Sequence, residues 1–434
     1  MPNESISNNH NRTRLSRKSS NAGSDHGEAS RLTVQDLLRL PIKKRSLTWQ
    51  EGQAKSVTLV VTENCQLRCR YCYVLHKNSR KRMSFDVARR TIDYLIEQRQ
   101  LFTDKALILE YIGGEPLLEI DLIDQISDYL KIQLYQHDHP WFDNYRFSIS
   151  TNGLLYDDPR VQRYIRKNAT HLSLGITIDG TPRKHDLQRV YPNGKGSYAD
   201  VIRNVPLWLK QFPGASTKVT VASEDIPYTC ESVLHLFSLG IREVNINVVF
   251  EDVWKEGDDV EFEKQLIALA DAIVDQQLYR DHVCSFFNEH IGFPIDKARE
   301  QNWCGSGRNM IAVDTKGVFY PCNRFLPFTL SNKTPRVIGN CYDGIDMNKL
   351  RPFYALNRSC QSLPECMECE VASGCAWCVG HNYDTADTDT VFQRATSICK
   401  MHKARVRANQ YYRKRLVEKV GDGRTGVKNV RSGV

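Results

Sequence analysis

Residues 56–72 read SVTLVVTENCQLRCRYC, a β-branched apolar run followed by three closely spaced cysteines. The run Ser56–Thr62 has the composition of a buried strand. Cys65, Cys69 and Cys72 follow it with the spacing C-x3-C-x2-C on one short loop. Three thiolates so placed can hold three irons of a [4Fe–4S] cluster and leave the fourth iron open to an external ligand. Structural zinc is the alternative, but it normally needs four protein ligands, and no suitable fourth is nearby.

Five more apolar runs follow, separated by stretches of helical periodicity. The runs are Leu107–Ile112, Phe147–Ser150, Leu172–Ile178, Val219–Ser223 and Val244–Phe250. Helices are predicted at Ser84–Gln98, with Ser84 as the N-cap, and at Leu122–Tyr135, Pro159–Lys167, Tyr198–Lys210 and Cys230–Leu239. Such alternation predicts parallel strands joined by right-handed crossovers. The predicted fold class is α/β, a partial (βα)6 TIM-like barrel with active-site groups at the carboxyl ends of its strands.

Composition excludes several classes of protein. The 434 residues are 41% apolar and 25% charged, with 16 prolines and 25 glycines, which rules out collagen-like and largely disordered chains. No apolar stretch approaches the roughly 18 residues of a membrane span. The start of the chain lacks the basic and apolar regions of a secretory signal, so we expect a cytoplasmic protein without membrane association. Fourteen cysteines in a reducing compartment indicate metal binding or catalysis rather than disulfides.

The positive charge lies at the two ends of the chain. Residues 1–50 hold nine Lys and Arg against four acidic residues, and residues 403–434 hold ten against two, which leaves residues 51–402 at −5. The basic tails are therefore interpreted as segments that keep the protein in solution rather than as nucleic-acid-binding segments, and no nucleic-acid partner is predicted.

Four regions are predicted: a polar, largely disordered segment 1–54, a barrel 55–300, a cysteine-rich domain 301–402, and a basic helix and tail 403–434.

The cysteine loop, with Tyr71 before its last cysteine, resembles that of the radical S-adenosylmethionine (SAM) enzymes. The resemblance extends to the ends of the next strands. Gly113, Gly114, Glu115 and Pro116 look like the family's GGEP motif, which contacts SAM. Ser150 and Asn152 resemble its ribose-contact segment. Arg189, in the HDxxR sequence 185–189, is implied to pair with a carboxylate of SAM or substrate, although a surface ion pair is the simpler alternative.

The C-terminal cysteines resemble the SPASM domain, which binds auxiliary [4Fe–4S] clusters. Their pattern departs from the family in having C-x2-C where C-x3-C is usual, at Cys375 and Cys378. The resemblance implies one cluster on Cys366, Cys369, Cys375 and Cys399 and another with three ligands, Cys304, Cys322 and Cys378. The second could keep an open iron for a substrate thiolate, unless Cys341 or Cys360 is its fourth ligand. A zinc ribbon is the alternative, but it leaves Cys304, Cys322 and Cys399 unexplained.

The overall pattern is most similar to SPASM peptide maturases of the CXXX-repeat target family, the thioether-forming ranthipeptide class. The resemblance implies that a 5′-deoxyadenosyl radical abstracts hydrogen from a ribosomally made precursor peptide and that a Cys sulfur is joined to the carbon. Asn323 stands where sulfatase-maturing relatives carry an Asp base, which disfavours aldehyde formation. Carbon–carbon crosslinking, epimerisation, side-chain oxidation and a non-catalytic zinc or iron–sulfur protein remain alternatives. No catalytic residue beyond the cluster ligands is predicted.

Three partners follow from the same resemblance. They are the precursor peptide, an electron donor such as flavodoxin or ferredoxin, and a separate leader-binding protein. Only about 54 residues precede the barrel, fewer than the roughly 80 of the family's leader-binding domain, so leader recognition is expected from a separate protein or from the barrel itself. Cys230 and Cys284, outside both clusters of cysteines, are predicted to be buried small apolar residues.

Overall fold

A computed structural model describes residues 53–75, 79–295 and 304–420. Residues 1–52 of the predicted disordered segment and residues 421–434 of the predicted C-terminal tail lie outside the described residues. Within the described ranges, no helix is long and apolar enough to cross a membrane.

The first half of the barrel is a run of neighbouring parallel strands, in the order of the sequence. The strands are β1 (Ala54–Thr62), β2 (Ala106–Gly113), β3 (Tyr145–Thr151) and β4 (Leu172–Ile176), and the helices between them are α1 (Phe85–Glu97), α2 (Ile120–Gln136) and α3 (Pro159–Asn168). The Ser84 side chain accepts a hydrogen bond from Val87 N, so the predicted N-cap is confirmed.

The second half contains two further predicted strands and one that was not predicted. The elements are α4 (Pro182–Gln188), α5 (Tyr198–Ile202), α6 (Val205–Gln211), β5 (Ser216–Val221), α7 (Thr229–Ser238), β6 (Glu243–Val248), α8 (Asp258–Asp275) and β7 (Val283–Cys284). Strands β5, β6 and β7 form a separate parallel sheet. The single helix predicted over Tyr198–Lys210 is wrong: Pro206, in the first turn of α6, cannot donate a backbone hydrogen bond and so starts a new helix.

A threonine side chain joins the two sheets between β4 and β5. Thr217 Oγ1 donates to Ile176 O at 2.8 Å and accepts from Ile178 N at 3.0 Å. The side chain thus takes the place of a backbone ladder where the two strands are adjacent. All six predicted strands therefore lie in sequence around a partial barrel, and the predicted α/β fold class is confirmed.

The cysteine-rich region continues the first sheet. Strand β8 (Met310–Val313) pairs in parallel with β1, on the side opposite β2. Strands β9 (Val318–Tyr320), β10 (Gly339–Asn340) and β11 (Gly344–Ile345) extend the sheet with antiparallel pairs. Helices α9 (Met347–Ala355), α10 (Arg358–Gln361), α11 (Pro364–Met367), α12 (Val379–Thr385) and α13 (Cys399–Val420) complete it. Short 3-10 helices lie at Pro116–Glu119, Pro140–Asp143, Ser223–Tyr228, Leu278–Arg280 and Asn323–Phe325.

The two faces of the barrel strands differ in polarity. Tyr111 on β2 is fully buried against α2, where its hydroxyl lies 2.8 Å from Ser127 Oγ. Glu110, the preceding residue, faces the other way and accepts a hydrogen bond from Thr58 Oγ1 at 2.8 Å. Ser150 on β3 lies on the same face as Glu110 and is exposed. The face turned away from the helices is therefore polar and partly open.

Candidate active site

The three-cysteine loop begins where β1 ends and is anchored to a distant segment by its backbone. Arg68 N donates to Val190 O at 2.7 Å, and Arg70 N donates to Gln188 O at 2.9 Å. Within the loop, Cys72 N donates to Cys69 O at 3.3 Å. Cys65 is buried, whereas Cys69 and Cys72 are partly exposed. The loop therefore holds three thiols at the carboxyl end of the first strand, and their binding of a cluster stays a prediction.

Gly113 and Gly114 allow the end of β2 to approach that loop. A Cβ on Gly113 would lie 2.0 Å from Thr62 O, and one on Gly114 would lie 2.3 Å from Asn64 O. Gly114 N also donates to Thr62 O at 3.0 Å. The two glycines thus have a packing role that the motif alone did not reveal. Their contact with SAM stays a prediction.

A Gly114→Ala substitution tests this packing. The new Cβ meets backbone and the Cβ of Cys65, at 2.8 Å, so the cysteine loop itself must move. We expect SAM cleavage to fall by about 10²-fold and the free energy of unfolding to fall by roughly 1–3 kcal/mol. Gly214→Ala is the matched control, because nothing lies within 4 Å of its added Cβ. Equal cleavage rates in the two variants would contradict the packing role.

Glu115 connects the ends of β2 and β3. Its side chain is fully buried, and its carboxylate accepts hydrogen bonds from Thr151 Oγ1 at 2.6 Å, Asn152 N at 2.8 Å and Leu117 N at 3.0 Å. Burial raises the pKa of Glu115, and these donors oppose the rise. Pro116, also buried, opens the short helix that follows. Glu115 therefore fixes the relative position of two strand ends at the mouth of the barrel.

Asn152 lies against the cysteine loop. Its Nδ2 donates to Gln66 Oε1 at 3.1 Å and lies 3.9 Å from the Cys65 sulfur, while its Oδ1 accepts from Leu154 N at 3.0 Å. Ser150, predicted with it, is exposed on the inner face of β3. The structure thus brings the third strand end to the three thiols, with Asn152 beside them.

Tyr71, which is partly buried, forms a cluster behind the loop with the buried Asp179 and Arg189. Tyr71 OH donates to Asp179 Oδ2 at 2.5 Å and accepts from Arg189 Nη1 at 2.8 Å. Asp179 also accepts from Thr220 N at 3.2 Å, which attaches the cluster to β5. Burial raises the pKa of Tyr71 well above its ordinary value, so the phenol stays protonated. Arg189 Nε is buried and has no acceptor among the described residues, so this guanidinium keeps a donor for a carboxylate.

The first half of the HDxxR motif has a structural role. His185 Nε2 lies 3.0 Å from Ser197 Oγ, and Asp186 Oδ1 accepts from Tyr198 N at 2.8 Å. Both side chains fasten the turn before α5 to α4. Within this motif, Arg189 is the side chain that reaches the cysteine loop, through Tyr71. The surface ion pair considered for it is wrong, because Arg189 is buried.

Cys304, Cys322 and Cys378, which we name the first auxiliary group, lie within range of one another's charge. Burial raises the pKa of the Cys304 thiol to about 11 and that of Cys322 to about 12, and Cys378 adds to both. Cys341 N donates to Gly317 O before β9 begins, whereas Cys322 follows its end. Cys360 is exposed, with its sulfur accepting from Asn357 N. Burial raises the pKa of the Cys341 thiol, and the side chains that act on it are those of Thr91, Arg90 and Asp86 on α1 rather than the three thiols.

Cys366, Cys369, Cys375 and Cys399, which we name the second auxiliary group, line one cavity of about 660 Å³. The charges of the other three thiols all act on Cys375. Trp254 lines the same cavity, and its buried Nε1 has no acceptor among the described residues. Four thiols and an unpaired N–H donor suit a cluster whose sulfurs accept hydrogen bonds. The donor set and the cavity thus fit the predicted auxiliary cluster.

The thiols of each cysteine group are neighbours, but they are not close enough together to bind one metal ion. Within residues 53–75, 79–295 and 304–420, no three His, Cys, Asp or Glu side chains are close enough together to hold a single metal ion. A [4Fe–4S] cluster takes each thiolate on a different iron and does not need such convergence.

Sequence reasoning missed a polar group between the cysteine loop and the first auxiliary group. The Arg324 guanidinium lies 5.2 Å from the centre of the Tyr73 ring and donates to Glu251 Oε1 at 2.7 Å. Burial opposes the charge of Arg324, but Cys378 and Glu251 outweigh it and raise its pKa. Tyr73 directly follows Cys72, and Glu251 follows the end of β6. A charged residue directly after the last predicted strand, Val244–Phe250, was the signal that could have identified Glu251.

Comparisons with known proteins agree with this geometry. Residues 59–222 match the model of the radical SAM superfamily. An uncharacterised protein of Methanocaldococcus jannaschii is 32% identical over 198 residues, covering 45% of this chain and 63% of that protein. A serine-type anaerobic sulfatase-maturating enzyme of Bacteroides thetaiotaomicron is 23% identical, covering 72% of this chain and 78% of that enzyme.

Among solved structures, native anSMEcpe with bound AdoMet and the Cp18Cys peptide superposes with a TM-score of 0.59. It is 18% identical and covers 84% of this chain and 98% of that one. At this identity the likeness concerns the fold, and the chain spans less than two thirds of the Methanocaldococcus relative. Residues 59–222 of this protein thus match the radical SAM superfamily, and the chain has the fold of radical SAM enzymes, one of which was solved with bound AdoMet.

Proposed function

We propose that this protein is a radical SAM maturase that joins a cysteine sulfur to a carbon within a ribosomally made peptide. The observation that carries the proposal is that Arg324 interacts both with the cysteine loop and with the first auxiliary group. Tyr73 follows Cys72, and the Arg324 guanidinium that covers its ring interacts with Cys378. A peptide bound beside Arg324 would therefore have one residue near the cysteine loop and another near the first auxiliary group.

The three thiols of the loop would hold the cluster that binds SAM. Bound there, SAM and its cluster supply abstraction of a hydrogen atom from an unactivated carbon. Arg189 Nε, Asn152 and the Gly113–Gly114 backbone surround the loop and would orient SAM. Glu115 keeps the ends of β2 and β3 in register, and the Tyr71 phenol holds Arg189 in position. In this proposal these residues bind and position SAM, and the inner face of the barrel accepts the peptide.

The first auxiliary group would receive the peptide thiol. It offers three thiols, of which that of Cys322 is buried. Of the two cysteines considered as a fourth, Cys341 is influenced by Thr91 on α1 and Cys360 is exposed. In thioether formation the 5′-deoxyadenosyl radical would take one hydrogen atom from carbon, sulfur would lose one proton, and one further electron would pass to the cluster held by the first auxiliary group. A thiol bound beside the radical site would lose its proton readily, since a metal-bound thiol is deprotonated.

Oxidation of a side chain to an aldehyde is the second candidate, favoured by the similarity to the serine-type sulfatase-maturating enzyme. That reaction needs a base, and Asn323 follows Cys322 where related enzymes carry an Asp. The Asn323 amide donates to Tyr73 OH at 3.3 Å, and an amide cannot take up a proton at neutral pH. The amide therefore favours thioether formation over this alternative.

We further propose that the peptide is a cytoplasmic substrate, that flavodoxin or ferredoxin supplies the electron for SAM cleavage, and that a separate protein binds the leader. The net charge of −5 over residues 51–402 gives no general attraction for nucleic acid.

Mass spectrometry of a cysteine-rich peptide encoded beside this gene tests the function. The peptide is co-expressed with the protein, reduced, and treated with a thiol alkylator and separately with a hydrazine. Loss of two hydrogens per crosslink, with the affected cysteines resisting alkylation, is the expected result. A hydrazine-reactive product would establish the aldehyde alternative. An unmodified peptide with free thiols would contradict the thioether proposal for that peptide.

A further inference from the structure

Arg394 lies directly against the second auxiliary group. Its Nη2 donates to the Cys375 sulfur at 3.2 Å, and its Nη1 donates to Ser362 Oγ at 3.1 Å. The guanidinium also lies 5.6 Å from the centre of the Trp377 ring, which is buried. Three contacts from three side chains thus fix the orientation of this cation. Its position beside the thiol is therefore built into the fold.

The charge of Arg394 acts on more than one thiol. It opposes the rise in pKa that burial causes at both Cys375 and Cys366. Arg405 also adds positive charge near Cys375, and its guanidinium donates to the carbonyls of Ser285 and Phe286. Its hydrogen-bond partners among the described residues are thus backbone carbonyls rather than acids.

Five acidic residues also line the cavity. They are Asp252, Glu256, Asp258, Asp259 and Glu365. Glu365 raises the pKa of Cys366, although Arg394 exerts the larger effect on that thiol. The charged contact made directly to a thiol of this group, at 3.2 Å, comes from Arg394.

We propose that Arg394 raises the reduction potential of the iron–sulfur cluster held by the second auxiliary group. The inference rests on the proposed function in one respect, the assignment of a cluster to these four thiols. Reduction adds one electron and one negative charge to the cluster, and no bond forms or breaks. A cation hydrogen-bonded to a ligand sulfur stabilises the reduced state more than the oxidised state. Arg394 is thus a residue that tunes the cluster, and its removal should make reduction harder.

The test is an EPR-monitored titration with dithionite under anaerobic conditions. The full chain is reconstituted with iron and sulfide, with Cys65, Cys69, Cys72 and Cys378 replaced by alanine so that the second group holds the remaining cluster. Arg394→Gln and Arg394→Met remove the charge, and Arg394→Lys keeps it. Arg351→Gln, an exposed arginine on α9, is the control for charge alone.

We expect both neutral variants to shift the midpoint to more negative potential, Arg394→Lys to shift it less, and the control to leave it unchanged. An unshifted or more positive midpoint in a neutral variant with full iron content would overturn the proposal. Loss of the cluster from both neutral variants would also overturn it, because Arg394 would then be needed to assemble the site. Absence of iron from the parent chain would instead refute the assigned ligands and thus the proposed function.

Discussion

Replacing Cys65, Cys69 and Cys72 together with alanine should abolish SAM cleavage and remove about four iron atoms per chain, the content of one [4Fe–4S] cluster. The C-terminal iron should remain, because the two auxiliary groups lie on different segments and share no thiol with the loop. Cleavage is measured as 5′-deoxyadenosine released under reducing conditions, and iron by elemental analysis.

Cys360→Ala is the matched control for this substitution. Its thiol is exposed and bonded to the backbone near Asn357, outside all three groups of cysteines. The control should keep both its iron and its cleavage activity. Cleavage of SAM by the triple variant would refute the role of the loop.

The second large effect is expected at Cys378 and Cys375, which are three residues apart but belong to different groups. Cys378→Ala should remove the first auxiliary cluster completely, because only Cys304 and Cys322 would remain there. Cys375→Ala should disturb the other cluster instead and leave three of its ligands. The two variants should therefore differ in iron content and in EPR spectrum, when compared in the background that lacks the loop cysteines.

Each variant is the control for the other, since both remove one thiol from the same short segment. Loss of both auxiliary clusters from Cys378→Ala would show that the division of the cysteines between the groups is wrong. Trp377 lies between the two residues and is buried, so a general collapse of this segment would affect both variants alike.

Several features of the barrel could be predicted because they depend on local sequence. The strand Ser56–Thr62, the N-cap at Ser84 and the cysteine spacing each involve few consecutive residues, and period and composition reveal them. The break between α5 and α6 could have been recognised from Pro206. Strand β8 could not, because a four-residue segment with little periodicity becomes a strand only by pairing with β1.

The same contrast holds within the candidate site. The sequence by itself determined which residue types are expected to bind iron, since the thiols of the loop lie within eight consecutive residues. Only the tertiary structure decided that Gly113 and Gly114 pack against that loop, that Arg189 reaches it through Tyr71, and that Arg324 lies between two thiol groups. Those contacts join residues more than forty positions apart, and their formation depends on how strands and loops pack, which no local spacing encodes.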